Sequence, residues 1–120
     1  MCQREVLLIG AHTFMHVRIP IDMNKVRAFC EKWQIEELAL FGSVLRDDFG
    51  PTSDVDVLVR FAPDSPYSVL LDHCQMEDEL ERIFGRSIDL ISKRGVEQSK
   101  NERRRVDILT TAEVIYAKAA

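Results

Sequence analysis

The sequence predicts an α/β (α+β) domain in which a small mixed sheet is flanked by helices. Three observations carry that expectation. Apolar residues recur at helical spacing in residues 22–37 and 67–84, a valine-rich run occupies 54–61, and short apolar runs at 38–41 and 87–92 are bounded by turn formers. The implied order is helix, strand, strand, helix, strand, helix, which folds as helices packed on a sheet.

The first helix starts at Asp22, a residue type that caps N-termini, and Val26, Phe29, Cys30 and Trp33 form its apolar stripe. Leu38–Phe41 reads as a buried strand closed by Gly42, and Ser43–Arg46 as a helix of one or two turns. Gly50 and Pro51 break the following loop, and Asp54–Phe61 forms the second strand. A turn-rich APDSP leads into the long helix ending at Gly85, SIDLIS supplies the third strand, and the chain is expected to be helical from Val96 to the end. Residues 1–20 show no clear period and read as an N-terminal extension; residues 21–120 form the domain.

With 120 residues, 46% hydrophobic and 30% charged, the chain has the make-up of a single globular domain. No apolar run approaches the roughly 20 residues of a membrane span, and VLLIG is too short for a secretory core, so a cytoplasmic protein is expected. Cys2, Cys30 and Cys74 lack the spacing of a disulfide framework or zinc site, and His12, His16 and His73 that of a metal site. A net charge of −4 argues against direct nucleic-acid binding. Even so, Lys93, Arg94, Lys100, Arg103, Arg104 and Arg105 concentrate against only Glu97 and Glu102. That stretch could meet phosphates or a partner, or be a solvated face.

The chemistry gathers in LFGSVLRDDFGPTSDVDVLVRF. Alternation along a strand puts Asp54 and Asp56 on one side, roughly 6.6 Å apart along the strand, with Val55, Val57 and Val59 on the other. Two such carboxylates can hold Mg²⁺ together with substrate phosphates. Asp89, in the middle of a third strand, is a candidate third ligand. Gly42 permits a sharp turn and close ligand approach, and Ser43 opens a helix whose free N–H groups suit phosphate oxygens.

GSxxR, a loop, SDxDxxV and a carboxylate on a later strand together resemble the nucleotidyltransferases of the DNA polymerase β superfamily. The compactness and the tail VEQSKNERRRVDILTTAEVIYAKAA look like its minimal branch, the MNT-type antitoxins of HEPN/MNT toxin–antitoxin pairs. The resemblance spans Ile21 to the end and leaves residues 1–20 outside, so that translation could begin at Met15 or Met23. It implies a polymerase β-type core. By position, Gly42 and Ser43 match the triphosphate-binding turn, Arg46 and Ser53 match motif positions, Asp54 and Asp56 match the metal-binding pair, and Asp89 matches the third, metal-binding and catalytic carboxylate. Asp47 stands where the pattern often has glycine. The implied activity is Mg²⁺-dependent transfer of AMP from ATP, with two ions, to a hydroxyl of a HEPN-domain toxin, with tyrosine as the acceptor. Homo- or hetero-oligomers are compatible with this.

Competing readings remain. DVDVLV also fits the DxDx[TV] pattern of haloacid-dehalogenase-type phosphatases, but there the apolar strand precedes the aspartates. An EF-hand lacks its glycine and terminal glutamate. Asp54 and Asp56 could merely line an open strand face, and Asp89 could pair with a tail arginine. The rival function is a non-catalytic antitoxin that neutralises its toxin by complex formation. Transfer to a small molecule or RNA would call for a second domain, which the sequence does not show.

Overall fold

The computed structural model describes residues 11–12, 19–46, 49–50 and 52–118. Cys2, Met15, His16, Asp47 and Pro51 lie outside the described residues. In chain order the elements are β1 (Ala11–His12), β2 (Ile21–Asp22), α1 (Met23–Trp33), β3 (Ile35–Phe41), a 3₁₀ turn (Gly42–Leu45), β4 (Val55–Phe61), α2 (Val69–Phe84), β5 (Ile88–Ser92), α3 (Lys93–Glu97), α4 (Glu102–Thr111) and β6 (Glu113–Ala117).

The main sheet has the order β5–β4–β3–β6. β4 and β5 run parallel, while β3 is antiparallel to both β4 and β6. The expected small mixed sheet is therefore present. β1 and β2 form a separate two-residue antiparallel ladder. β3 and β4 are buried on both faces, as central strands must be when helices cover each side. One face, with Leu38, Leu40, Val57 and Val59, meets Val26, Phe29, Cys30 and Trp33 of α1 and Met76 and Leu80 of α2. The other, with Ala39, Phe41 and Leu58, meets Val96 of α3 and Ile108 of α4 in a smaller cluster. No helix among the described residues is long and apolar enough to cross a membrane.

α1 has its cap at Asp22, whose carboxylate accepts from the N–H groups of Asn24 (3.1 Å) and Lys25 (3.3 Å). It ends earlier than expected, because Gln34 takes a left-handed conformation (φ 56°) that terminates the helix without a glycine. Ile35–Glu37 thus join β3, where buried Ile35 pairs with Phe61. α2 ends at Gly85 (φ 69°), as expected.

The tail departs most from expectation. Instead of one helix from Val96 onward, α3 starts at Lys93 under the Ser92 cap, and α4 restarts under Asn101. Residues 113–117 then turn back as a strand on the free edge of β3. Of the tail's apolar residues, Ile108 and Ile115 are buried, while Val106, Leu109 and Val114 are exposed. Val114, Ile115 and Tyr116 are β-branched or aromatic, and an unpaired edge next to them makes the strand the better use of those side chains.

Candidate functional site

Register creates the site. Asp56 lies directly opposite Asp89 across the parallel β4–β5 pair, and opposite Phe41 across β3–β4. Strands are spaced by about 4.8 Å, so the two carboxylates are lateral neighbours. Val55 and Val57 are fully buried on the opposite face, which commits Asp56 to the face shared with α4. Asp54 precedes the first residue of β4 and is exposed.

Burial is the main cause that lifts the Asp56 carboxyl from 3.8 to about 6; the charges of Asp89 and Asp54 add to it, and Arg46 and Arg104 oppose it. The carboxylates thus repel one another more than the local cations offset. Asp89 forms no ion pair with a tail arginine among the described residues, which removes that structural explanation for it.

Gly42 brings the backbone against this cluster. Its φ is +75°, and a β-carbon there would overlap Asp56 Oδ2 and stand 3.1 Å from Cγ. Only glycine combines that conformation with that approach. The expected Ser43–Arg46 helix is a 3₁₀ turn over Gly42–Leu45, anchored by buried Val44 and closed by Arg46 N–H donating to Ser43 O (2.9 Å). Ser43 Oγ has no hydrogen-bond partner among the described residues.

These groups border a cleft of about 690 Å³ whose floor includes Gly42, Arg46, Asp56 and Asp89. Its other wall is α4, which contributes Arg104, Asp107, Ile108 and Thr111 at i, i+3, i+4 and i+7, one face of the helix. Glu113 of β6 closes one end. The sequence reading left the role of the tail cations open and did not separate Arg104 from its neighbours; the helical spacing around buried Ile108 is the signal that does so.

Exposed Asp54 and half-buried Ser43 flank the residues that line the cleft in sequence but are not part of its lining. Ser53 is used locally: its Oγ accepts from Gly50 N–H (3.0 Å), and its own N–H donates to Gly50 O (3.1 Å). Arg86, unnoticed in the sequence, pins the same loop. It donates to Gly50 O (2.7 Å) and Ser53 O (3.2 Å), and its guanidinium lies 4.3 Å from the Phe49 ring centroid. Arg86→Ala is expected to lower stability by about 1–2 kcal/mol. It should also reduce any activity that depends on Asp54 by about tenfold, since the loop aims that carboxylate. Urea denaturation together with a turnover assay would measure both.

A divalent cation suits this donor set within a limit. Among the described residues no three carboxylate, imidazole or thiol groups form a ready-made ion site. Paired Asp56 and Asp89, with Asp54 near enough for its charge to act on Asp56, match a hard cation held by one or two carboxylates and completed by substrate oxygens.

Comparison with known proteins agrees with this geometry. The nucleotidyltransferase domain family profile matches residues 23–115. A Methanocaldococcus jannaschii protein, provisionally named a protein adenylyltransferase, is 32% identical over 66 residues, 55% of this chain and 65% of its own length. The protein adenylyltransferase MntA of Thermococcus cleftensis is 35% identical over 63 residues, 52% of this chain and 61% of its own. The chain therefore spans just under two thirds of each of these two relatives. A solved structure provisionally described as a minimal nucleotidyltransferase superposes with a TM-score of 0.56 at 31% identity, covering 74% of this chain and 84% of that one. A toxin–antitoxin crystal structure with AMP-PNP shares the fold, with a TM-score of 0.61 at 18% identity over 82% of this chain and 75% of that one. The aspartates that face each other across β4 and β5 thus stand on a recognised scaffold, and the chain belongs to the nucleotidyltransferase domain family, as a minimal member of the DNA polymerase β superfamily.

Proposed function

We propose that this protein is a Mg²⁺-dependent adenylyltransferase that moves AMP from ATP to a tyrosine hydroxyl of a HEPN-domain toxin, thereby acting as its antitoxin. The observation that carries the reading is the Asp56–Asp89 pairing beneath the Gly42 turn. The names of the adenylyltransferase relatives and the toxin–antitoxin neighbour bound to AMP-PNP support it. Residues 21–120 act as the transferase unit, with 1–20 as an extension. The free thiols Cys30 and Cys74 suit a cytoplasmic setting.

Asp54, Asp56 and Asp89 would hold the ions. The chemistry that Mg²⁺ would supply there, when bound, is neutralisation of phosphate charge. Gly42 lets the triphosphate approach the backbone, and the free Ser43 Oγ and Arg46 contact its oxygens, while Ser53 shapes the loop that carries Asp54. Asp89 orients the acceptor hydroxyl and takes its proton as the oxygen attacks the α-phosphorus. The bond to pyrophosphate breaks in the same displacement, and pyrophosphate departs.

The test is to incubate the protein with a protein encoded beside it, ATP and Mg²⁺, and to record intact masses. AMP-sized gains on the partner, lost in Asp54→Asn and Asp56→Asn, are the expected result. A tight, silencing complex without any mass gain would mean that binding alone is the function. Asp89→Asn should lower kcat by about 10²-fold and change ATP affinity far less, because its role falls on the acceptor proton. An unchanged kcat would return Asp89 to a structural role.

A further inference from the structure

Three arginines stand in sequence on α4, and the structure separates them. Arg105 is engaged, its guanidinium donating to Ser99 O (2.7 Å). Arg103 borders an outer groove, shared with Arg104 and Asp107, that Asp56 and Asp89 do not line. Arg104 lines the cleft with Asp56 and Asp89, and its side chain makes no hydrogen bond or ion pair among the described residues.

The charge balance of the cleft gives this residue a task. Asp56, Asp89, Asp107 and Glu113 face it against Arg46 and Arg104, so the cavity is net negative without metal. A polyanion enters such a cavity only with cations, and the protein must supply those that the ions do not. A guanidinium is suited to this, because its fork of donors matches phosphate oxygens. Building on the adenylyltransferase reading, we infer that Arg104 of α4 is a nucleotide-binding residue that clasps the polyphosphate of the incoming nucleotide across the cleft from the Gly42 turn. α4 is thereby part of the substrate site, held over it by Ile108 packed on Phe41 and Ala39.

The full chain and its Arg104→Ala and Arg104→Lys variants would be titrated with ATP and Mg²⁺ by calorimetry, with AMP and Mn²⁺ alone as controls. Melting curves would confirm folding, which exposed Arg104 does not support. Arg104→Ala is expected to weaken ATP by about 10–100-fold and AMP much less, with KM rising more than kcat falls. Arg104→Lys should recover part of the affinity, as a point charge without the fork. If Arg104 serves only as a counter-ion to the aspartates, Arg104→Ala will bind Mn²⁺ more tightly and ATP as before, which overturns the inference. ATP binding that fails already in the unmutated protein overturns the adenylyltransferase reading as well.

Discussion

Asp56→Asn is expected to yield a folded protein whose proposed nucleotide transfer falls by about 10³-fold or more, because the change removes the half-buried member of the carboxylate pair to which we assign the ions. Its stability will not fall with its activity. In the metal-free protein the Asp56 carboxyl is raised from 3.8 to about 6 by burial and by its acidic neighbours. The folded state therefore keeps a proton that the unfolded chain releases between those two values. Wherever the folded state binds more protons, stability falls as pH rises. The destabilisation is absent below 3.8, grows through the interval and is complete above about 6. Melting temperatures of the parent and Asp56→Asn, measured across this interval, should diverge as pH rises, with the variant the more stable. Saturating Mg²⁺ should shrink the gap by stabilising only the parent. Transfer that persists in Asp56→Asn, or melting curves that stay parallel with pH, would contradict the role given to this carboxylate.

Gly42→Ala is expected to have the second largest effect, through two separable causes. The residue sits at φ +75°, and its β-carbon would overlap Asp56 Oδ2. The conformational part alone costs about 1–3 kcal/mol. The overlap adds to this by forcing the carboxylate aside, so transfer should drop together with stability. A double-mutant cycle separates the two causes. In an Asp56→Ala background there is no carboxylate to strike, and the stability cost of Gly42→Ala should shrink to its conformational part. Equal costs in the two backgrounds would show that the turn, and not the close approach, requires glycine. Urea denaturation of the four proteins supplies the numbers.

The parts of the fold that local patterns determine were legible in the sequence. The stripe of Val26, Phe29, Cys30 and Trp33, the Asp22 cap and the Gly85 stop all appear where periodicity and capping place them. The Asp54–Asp56 spacing and the Gly42 turn were also readable, because each depends on residues adjacent in the chain. What escaped depends on partners far away in sequence. Gln34 ends α1 only because Ile35 has a place beside Phe61, and nothing in its own side chain announces a left-handed residue. EVIYA fits a helix until the free edge of β3 is there to receive it. Arg86 acts on backbone carbonyls more than thirty positions earlier, at Gly50 and Ser53, a relation without a sequence pattern. Arg104 could not be told from Arg103 and Arg105 until the seating of Ile108 fixed the rotation of α4.

The return of residues 113–117 to β3 also bears on the order in which the protein can mature. Sheet order does not follow chain order: the last strand pairs with a partner that is synthesised some seventy residues before it. During translation β3 emerges early, yet one of its edges stays open until residue 117 is clear of the ribosome. Until then α4 has no anchor on its C-terminal side, and the cleft lacks both that wall and Glu113. Contacts of such sequence separation close slowly, so ordering of the cleft should trail formation of the β3–β4 hairpin. A nascent chain would carry its aspartates long before the cleft around them is walled in, and that closure would wait for β6.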